Sequence, residues 1–207
     1  MFVSAYAEME AVMQNAKRQL QKDQTRKKIV DAAFKVYTEN GFTASTSAIA
    51  KEAGVAHGSI FLHFPTLNDL LLHIVKDFVN RISAKLHNLS EVNENIEGFF
   101  DAHIDILSDY EEFYIRLLTE MVLLPKEAKA AFATIQTGLA FNFNKIMNRE
   151  IDDGILKRLP PHILFHTWVG LVHYYLQNKD IFSPDGSVLK RYKKQLIFTY
   201  CELMRKQ

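Results

Sequence analysis

The chain has 207 residues and a mass of 23.9 kDa, which fits one large domain or two small ones. Hydrophobic residues make up 48% and charged residues 24%, with only 8 Gly and 5 Pro, so disordered and collagen-like chains are excluded and long stretches run free of helix breakers. A net charge of +1 names no partner, the single cysteine Cys201 excludes a disulfide framework, and no apolar run nears the roughly 18 residues that span a membrane, so the expected setting is the reducing cytoplasm.

Residues 1–22 carry Ala5, Met9, Val12, Met13, Ala16 and Leu20 at helical spacing and turn basic at Lys17, Arg18 and Lys22. They read as a helical N-terminal extension that packs on the following domain, tracks phosphates as an arm, or frays. A helix at 26–39 is predicted from Ile29, Ala33, Val36 and Tyr37, and the pair Asn40-Gly41 ends it. Phe42 then turns back to the core. Ser45 or Thr46 caps a short helix over 45–53 that stops at Gly54. A third short helix, 56–62, carries Ile60 and Phe61 and is closed by Pro65 after Phe64. Thr66 caps a long fourth helix, 67–89, with Leu70, Leu71, Ile74, Val75, Phe78 and Ile82 as its stripe. Five more helical stretches follow at about 91–107, 110–124, 126–150, 160–178 and 185–205. Strand-like alternation is missing throughout. The predicted fold is all-α: an N-terminal three-helix helix-turn-helix domain (23–70) joined by a long helix to a C-terminal helical bundle (71–207).

The helix-turn-helix is the motif that carries chemistry. Two helices crossing steeply over a short turn need Gly at the turn, here Gly54, and small residues at the crossing, here Ala50 and Ala53. Ile49, Val55 and Ile60 supply a miniature core. The stretch Thr25–Leu71 resembles the DNA-binding domain of the tetracycline-repressor (TetR) family. The resemblance is carried by Ile29, Ala32-Ala33, Gly41-Phe42, Ile49-Ala50, Ala53-Gly54-Val55, Gly58, Phe61, His63-Phe64 and Asp69-Leu70. It implies a homodimeric repressor with a variable ligand-binding domain and a double-stranded DNA operator as partner.

A recognition helix enters the major groove and reads base edges with its early residues, which are Ala56, His57, Gly58 and Ser59. His57 is the one long polar side chain there. Ser45, Thr46 and Ser47 stand at a helix start, where hydroxyls and free N–H groups suit phosphate. Arg26, Phe61 and His63 complete the expected interface. Phe61 stands where the family usually has Tyr, and Leu67 stands where many members have Lys, so a hydroxyl and an ammonium for phosphate are both missing; Arg26, Lys27, Lys28 and Lys51 compensate.

The C-terminal half is rich in aromatics. A ligand pocket is an apolar cavity with a few polar groups, and His103, Tyr110, Tyr114, Met121, Phe141, Phe165 and Trp168 are the candidate lining residues; any of them serves equally well in a bundle core. They point to a small, largely apolar or aromatic effector. His162 and His166 share a helix face, with His173 near it, but no carboxylate or cysteine stands beside them, and no metal or other cofactor is expected. The helices at 160–178 and 185–205 are apolar on more than one side and suit a four-helix dimer interface, with Gly170 marking a close helix approach. Lys190, Arg191, Lys193 and Lys194 read as a solvated face.

No nucleophile elbow, phosphate-cradling Gly loop or carboxylate pair nominates a reaction, so no enzyme and no catalytic residue is expected. The expected function is a ligand-responsive regulator, released from a pseudo-palindromic operator by its effector, with the helix 67–89 as the lever between pocket and reading head. The alternative is a helical interaction or ligand-binding protein with weak or lost DNA binding. Charge by region favours the former. Residues 17–64 hold eight Lys and Arg against four Asp and Glu, so the near-neutral total averages a basic head with a neutral bundle.

Overall fold

The computed structural model describes residues 2–90 and 95–206, with side chains described for 12–85 and 95–206. The described residues form ten α-helices and one 3₁₀ turn; β-pairing among them is limited to an isolated antiparallel bridge between Leu156 and Arg205. The chain divides into two compact units, Met1–Leu70 and Leu71–Gln207.

The first unit opens with α1, Phe2–Asn40, a single helix of 39 residues. The expectation of an extension separate from a helix at 26–39 is corrected: nothing between residues 20 and 26 breaks the helix, because that stretch holds neither Gly nor Pro. Val12, Met13 and Leu20 of its apolar stripe are exposed, while the side chains of Ala5 and Met9 lie outside the described residues. Gly41 takes a left-handed φ of 80° just past the helix end, and its N–H donates to the Tyr37 carbonyl at 3.0 Å. Phe42 turns inward and meets Tyr37 edge-on, with ring centroids 5.8 Å apart.

Helix α2, Thr46–Ala53, is capped by Ser45, whose Oγ accepts the Ala48 N–H at 3.2 Å. Gly54 ends it at φ 65°, and the Val55 N–H closes the turn on the Ala50 carbonyl. Helix α3, His57–His63, follows α2 after the three residues Gly54, Val55 and Ala56. Ile29, Ala33, Val36, Ile49, Ala50, Ile60 and Phe64 are buried in this unit; of the small core expected from spacing, Ile49 and Ile60 are buried and Val55 is half-buried. The Lys35–Glu52 ion pair, 2.7 Å, ties α1 to α2. Helix α4, Leu67–Ser90, starts at a reciprocal cap: the Thr66 Oγ1 accepts from the Asp69 N–H, and the Asp69 carboxylate accepts the Thr66 N–H and hydroxyl. Its backbone runs on into the second unit.

The second unit holds the rest of α4 together with α5 (Ile96–Ser108), α6 (Glu111–Thr119), α7 (Lys126–Asp152), α8 (Pro161–Gln177), α9 (Lys179–Phe182) and α10 (Val188–Met204). The predicted start of α5 at 91–94 lies outside the described residues. The stretch predicted as one helix over 110–124 is shorter, and its end tightens into a 3₁₀ turn at Met121–Leu123. The interval between the last two predicted helices holds the extra turn α9.

Helix α5 packs beside α10 and α7, and α8 lies against α6, α7 and α10. Their common core is aromatic: Phe100 meets Trp168 at 4.1 Å between centroids, Trp168 meets Tyr200 at 5.3 Å, and Phe143 meets Phe165 at 5.6 Å. Two buried carboxylates lock helix starts. Glu111 accepts the N–H groups of Val188 and Leu189 (2.9 and 3.2 Å) and the Ser187 hydroxyl, and so holds the start of α10. Glu150 accepts the Ile96 N–H at 3.1 Å and holds the start of α5; burial pushes its carboxyl above the usual value.

Candidate nucleic-acid interface and buried polar pocket

On the outer side of the first unit, the start of α3 meets the start of α2. His57 is exposed, and its Nε2 lies 2.8 Å from the Thr46 hydroxyl, across the turn. Its ring also stands edge-on to Phe61 at 5.6 Å. The pair fixes the imidazole plane and leaves Nδ1 for an outside partner. Thr46 and Ser47 begin α2, where helix geometry leaves their N–H groups without intrahelical acceptors, a ready seat for phosphate. The Ser45 hydroxyl is already committed to its cap.

Ala56 and Gly58 are exposed, and Ser59 is half-buried. A methyl group at Gly58 would meet nothing within 4 Å, so no neighbour in the chain demands glycine there. Phe61 is 43% and Leu62 80% exposed. Leu62 is not among the expected contacts. It stands one residue past Phe61 on the same short helix, and apolar side chains on a recognition helix can meet thymine methyls. Its signal in sequence is weak, because an i+1 neighbour of an apolar residue is normally assigned by the helical stripe alone.

Arg26 and His63 take a different place. The Arg26 guanidinium lies over the Phe64 ring, 4.4 Å from its centroid, and so braces α1 against the end of α3. His63 is half-buried, its Nδ1 is buried without a hydrogen-bond partner, and burial together with the charges of Lys22 and Arg26 lowers its pKa. Lys27 pairs with Asp31, whereas Lys28 and Lys51 are exposed.

In the second unit, two polar pairs sit inside apolar surroundings. The Trp168 indole N–H donates to His103 Nδ1 at 2.9 Å. An indole only donates, so this ring nitrogen is unprotonated and the imidazole neutral. Burial pushes the His103 pKa down to about 3, with His173 adding to the effect. The Tyr114 hydroxyl lies 2.9 Å from His173 Nε2, and burial pushes that imidazole down to about 4. His103, Tyr114 and Gln136, with Ile82, Ile106, Leu107, Ile135, Leu139 and Val169, enclose a cavity of about 10 Å³, the size of one water.

Of the expected lining residues, His103 and Tyr114 reach this cavity. Phe165 and Trp168 are core, 1% and 0% exposed. Tyr110 is half-buried against Phe78, and Met121 is half-buried at the 3₁₀ turn. Phe141 is corrected: it is 71% exposed on α7, because the inward position two residues on is taken by Phe143. Sequence reasoning misses Gln136 and Val169, since neither residue type marks a pocket. His162 and His166 are exposed, His173 is spent on Tyr114, and among the described residues no three His, Cys, Asp or Glu side chains group around a metal position. Lys193, expected to be solvated, bridges Asp101 and Asp105 at 2.9 and 2.7 Å.

Helices α8 and α10 leave apolar side chains outside: Ile163, Tyr174, Phe198 and Leu203 are each more than half exposed. Gly170 is exposed between Ile163 and Tyr174, and a methyl there would meet nothing within 4 Å, so no helix of the same chain approaches it. No described helix is long and apolar enough to cross a membrane.

Residues 29–74 match the family model described as bacterial regulatory proteins, tetR family. The chain is 27% identical over 175 residues to the fatty acid metabolism regulator protein of Bacillus subtilis, covering 78% of this chain and 90% of that protein. It is 27% identical over 128 residues to the biofilm operon icaADBC HTH-type negative transcriptional regulator IcaR of Staphylococcus aureus, covering 60% and 66%. The fold matches that of the transcriptional regulator FadR from Bacillus subtilis, solved in complex with stearoyl-CoA, at a TM-score of 0.66 and 21% identity over 84% of this chain and 96% of that one. These relatives are transcriptional regulators, not enzymes. The helix-turn-helix of α2 and α3, with His57 exposed and paired to Thr46 at its start, thus lies in the segment that matches the tetR family of bacterial regulatory proteins.

Proposed function

We propose that the protein is a homodimeric repressor that leaves a pseudo-palindromic operator when an apolar effector enters the second unit. The observation that carries the reading is the exposed start of α3, where His57, held by Thr46, and the unencumbered Gly58 stand together as a reading edge. Ala56, Ser59, Phe61 and Leu62 extend it, with Thr46 and Ser47 on phosphate. Helices α8 and α10 supply the dimer face: Tyr174, Gly170 and Ile163 on one and Phe198 and Leu203 on the other are exposed in the protomer. Such a dimer sets two recognition helices about 34–36 Å apart, one turn of DNA.

The effector binds near His103 and Tyr114. A cavity of about 10 Å³ is far below the ~300 Å³ of a ligand site, so binding parts α5, α6 and α7. A long acyl chain suits aliphatic and aromatic walls, with Gln136, His103 and Tyr114 as polar handles. The fatty acid metabolism regulator and the stearoyl-CoA complex among the relatives make a long-chain acyl-CoA the first compound to test. Because α4 is one helix from Leu67 to Ser90, a tilt imposed at its second-unit end is carried to Leu67 at the head. The ligand acts only if it binds the DNA-incompetent state more tightly.

The test is selection of an operator from a random duplex pool by the full chain, then gel shift with and without stearoyl-CoA. Release of the selected duplex is the expected result, and His57→Ala is expected to change the selected sequence. Failure to enrich any sequence would return the protein to a ligand-binding role without DNA. Enrichment without release by any acyl-CoA would remove the effector class alone.

A further inference from the structure

We propose that the N-terminal part of α1 is a second DNA-contacting surface, in which Arg18 and Lys22 grip backbone phosphates on the duplex flanking the bases read by α3. This rests on the reading of the first unit as a DNA-binding head.

The first observation is continuity. Arg18 and Lys22 belong to the same unbroken helix as the buried Ile29, Ala33 and Tyr37, so the head fixes their direction. The second is register. Arg18, Lys22 and Arg26 follow one another at four-residue steps, and the line continues through Val30, Ala33 and Tyr37. These later residues are the face by which α1 packs into the head. Arg18 and Lys22 therefore extend that same face beyond it, about 6 Å per step along the axis. Met13, Lys17 and Leu20 lie on the other side of the helix.

The third observation is that these charges are uncommitted. Every residue from Val12 to Gln24 is exposed. Lys17, Arg18 and Lys22 form no ion pair among the described residues, whereas Lys27, Lys35, Arg81, Lys85 and Lys193 each hold a carboxylate. From Val12 to Lys22 there is no Asp or Glu, and the next carboxylate, Asp23, accepts from Gln19 at 2.9 Å. The fourth is position. The inner end of the line sits at the end of the recognition helix: Arg26 covers Phe64, and the charges of Lys22 and Arg26 both reach the His63 ring.

Two like charges without acids, aligned with a reading head, match the one charge a duplex offers everywhere, about one phosphate per 3.4 Å of each strand. The first helix of the helix-turn-helix, α2, crosses the DNA backbone, and an α1 prolonged past the end of α3 meets the phosphates outside the half-site. The two missing phosphate ligands at Phe61 and Leu67 are thereby replaced from another element.

The experiment measures the affinity of the full chain for two duplexes across a potassium chloride series. One carries the selected operator with ten base pairs of flank on each side; the other is trimmed to the operator. The double variant Arg18→Gln, Lys22→Gln keeps helix formers at exposed sites. On the long duplex its slope of log affinity against log salt is expected to be shallower by about 0.9 for each phosphate that is no longer neutralised, with base preference unchanged and a smaller change on the trimmed duplex. A control that removes two charges elsewhere, Lys126→Gln, Lys145→Gln, is expected to keep the wild-type slope. A double variant with the wild-type slope, or a control equally shallow, overturns the inference and leaves the reading head intact. The inference is equally overturned if the slope holds while binding to anionic phosphatidylglycerol vesicles, or the oligomeric mass, changes instead. Wild-type protein that binds neither duplex overturns the reading of the head, and this surface with it.

Discussion

Gly58 separates stability from function at a single residue. It sits inside a helix, where glycine costs about 1 kcal/mol relative to alanine, and no neighbour in the chain occupies the space of its missing methyl. Gly58→Ala is therefore expected to raise unfolding stability by up to about 1 kcal/mol in urea titrations and to weaken operator binding at the same time. Stronger or equal binding would show that no close approach occurs there. The paired histidines make a second residue-scale prediction. His103 and His173 have folded pKa values of about 3 and 4, below the ordinary 6.5, because burial disfavours their charged form. Both are neutral in the native state and take up a proton only on unfolding. The stability they support is fully present above about pH 6.5 and is lost as pH falls through 6.5 toward 4, by about 1.4 kcal/mol per pH unit for each histidine. Denaturant titrations between pH 7 and 4.5 should show this slope, and His173→Gln should reduce it by about one proton's worth. An unchanged slope would mean that His173 charges in the folded protein.

Elements in this chain are set by two kinds of signal that differ in range. The first-unit helices are bounded by local chemistry: the Ser45 cap, the left-handed Gly54, and the Thr66–Asp69 pair all lie within four residues of what they satisfy. Local signals can be read from spacing, which is why α2, α3 and the start of α4 are legible in the sequence to within a residue or two. Helix α10 is different. Its first N–H groups are satisfied by Glu111, 77 positions away from Val188 in the chain. No pattern around Ser187 announces that carboxylate. Glu111→Ala leaves buried N–H groups at Val188 and Leu189 unsatisfied, at a cost of about 1–3 kcal/mol. Thermal unfolding should shift down accordingly, while an exposed carboxylate such as Glu127 should tolerate alanine. A shift no larger for Glu111 than for Glu127 would mean that water replaces the cap. The long α1 is a third case, where the sequence pattern weakens near Lys22 without a breaker, and backbone continuity decides.

For the whole molecule, the surface that asks for a partner is the apolar face of α8 and α10. Phe198 is 68% exposed, so a charge there does not disturb the protomer core. If this face joins two copies, Phe198→Glu should shift the sedimenting species from dimer to protomer and sharply lower operator affinity, with helix content by circular dichroism unchanged. A dimer that survives the substitution places its interface elsewhere. The all-α class and the helix-turn-helix followed from the sequence alone, because helical periodicity and turn glycines act over a few residues and carry their own hydrogen bonds. The aromatic half could not be divided in that way. Phe141 and Phe143 are two positions apart on one helix, yet the first faces out and the second is fully buried. His103 finds Trp168 across 65 residues. Whether an aromatic fills the core, lines a cavity or waits for a partner depends on which helices arrive beside it, and only the packed tertiary structure decides that.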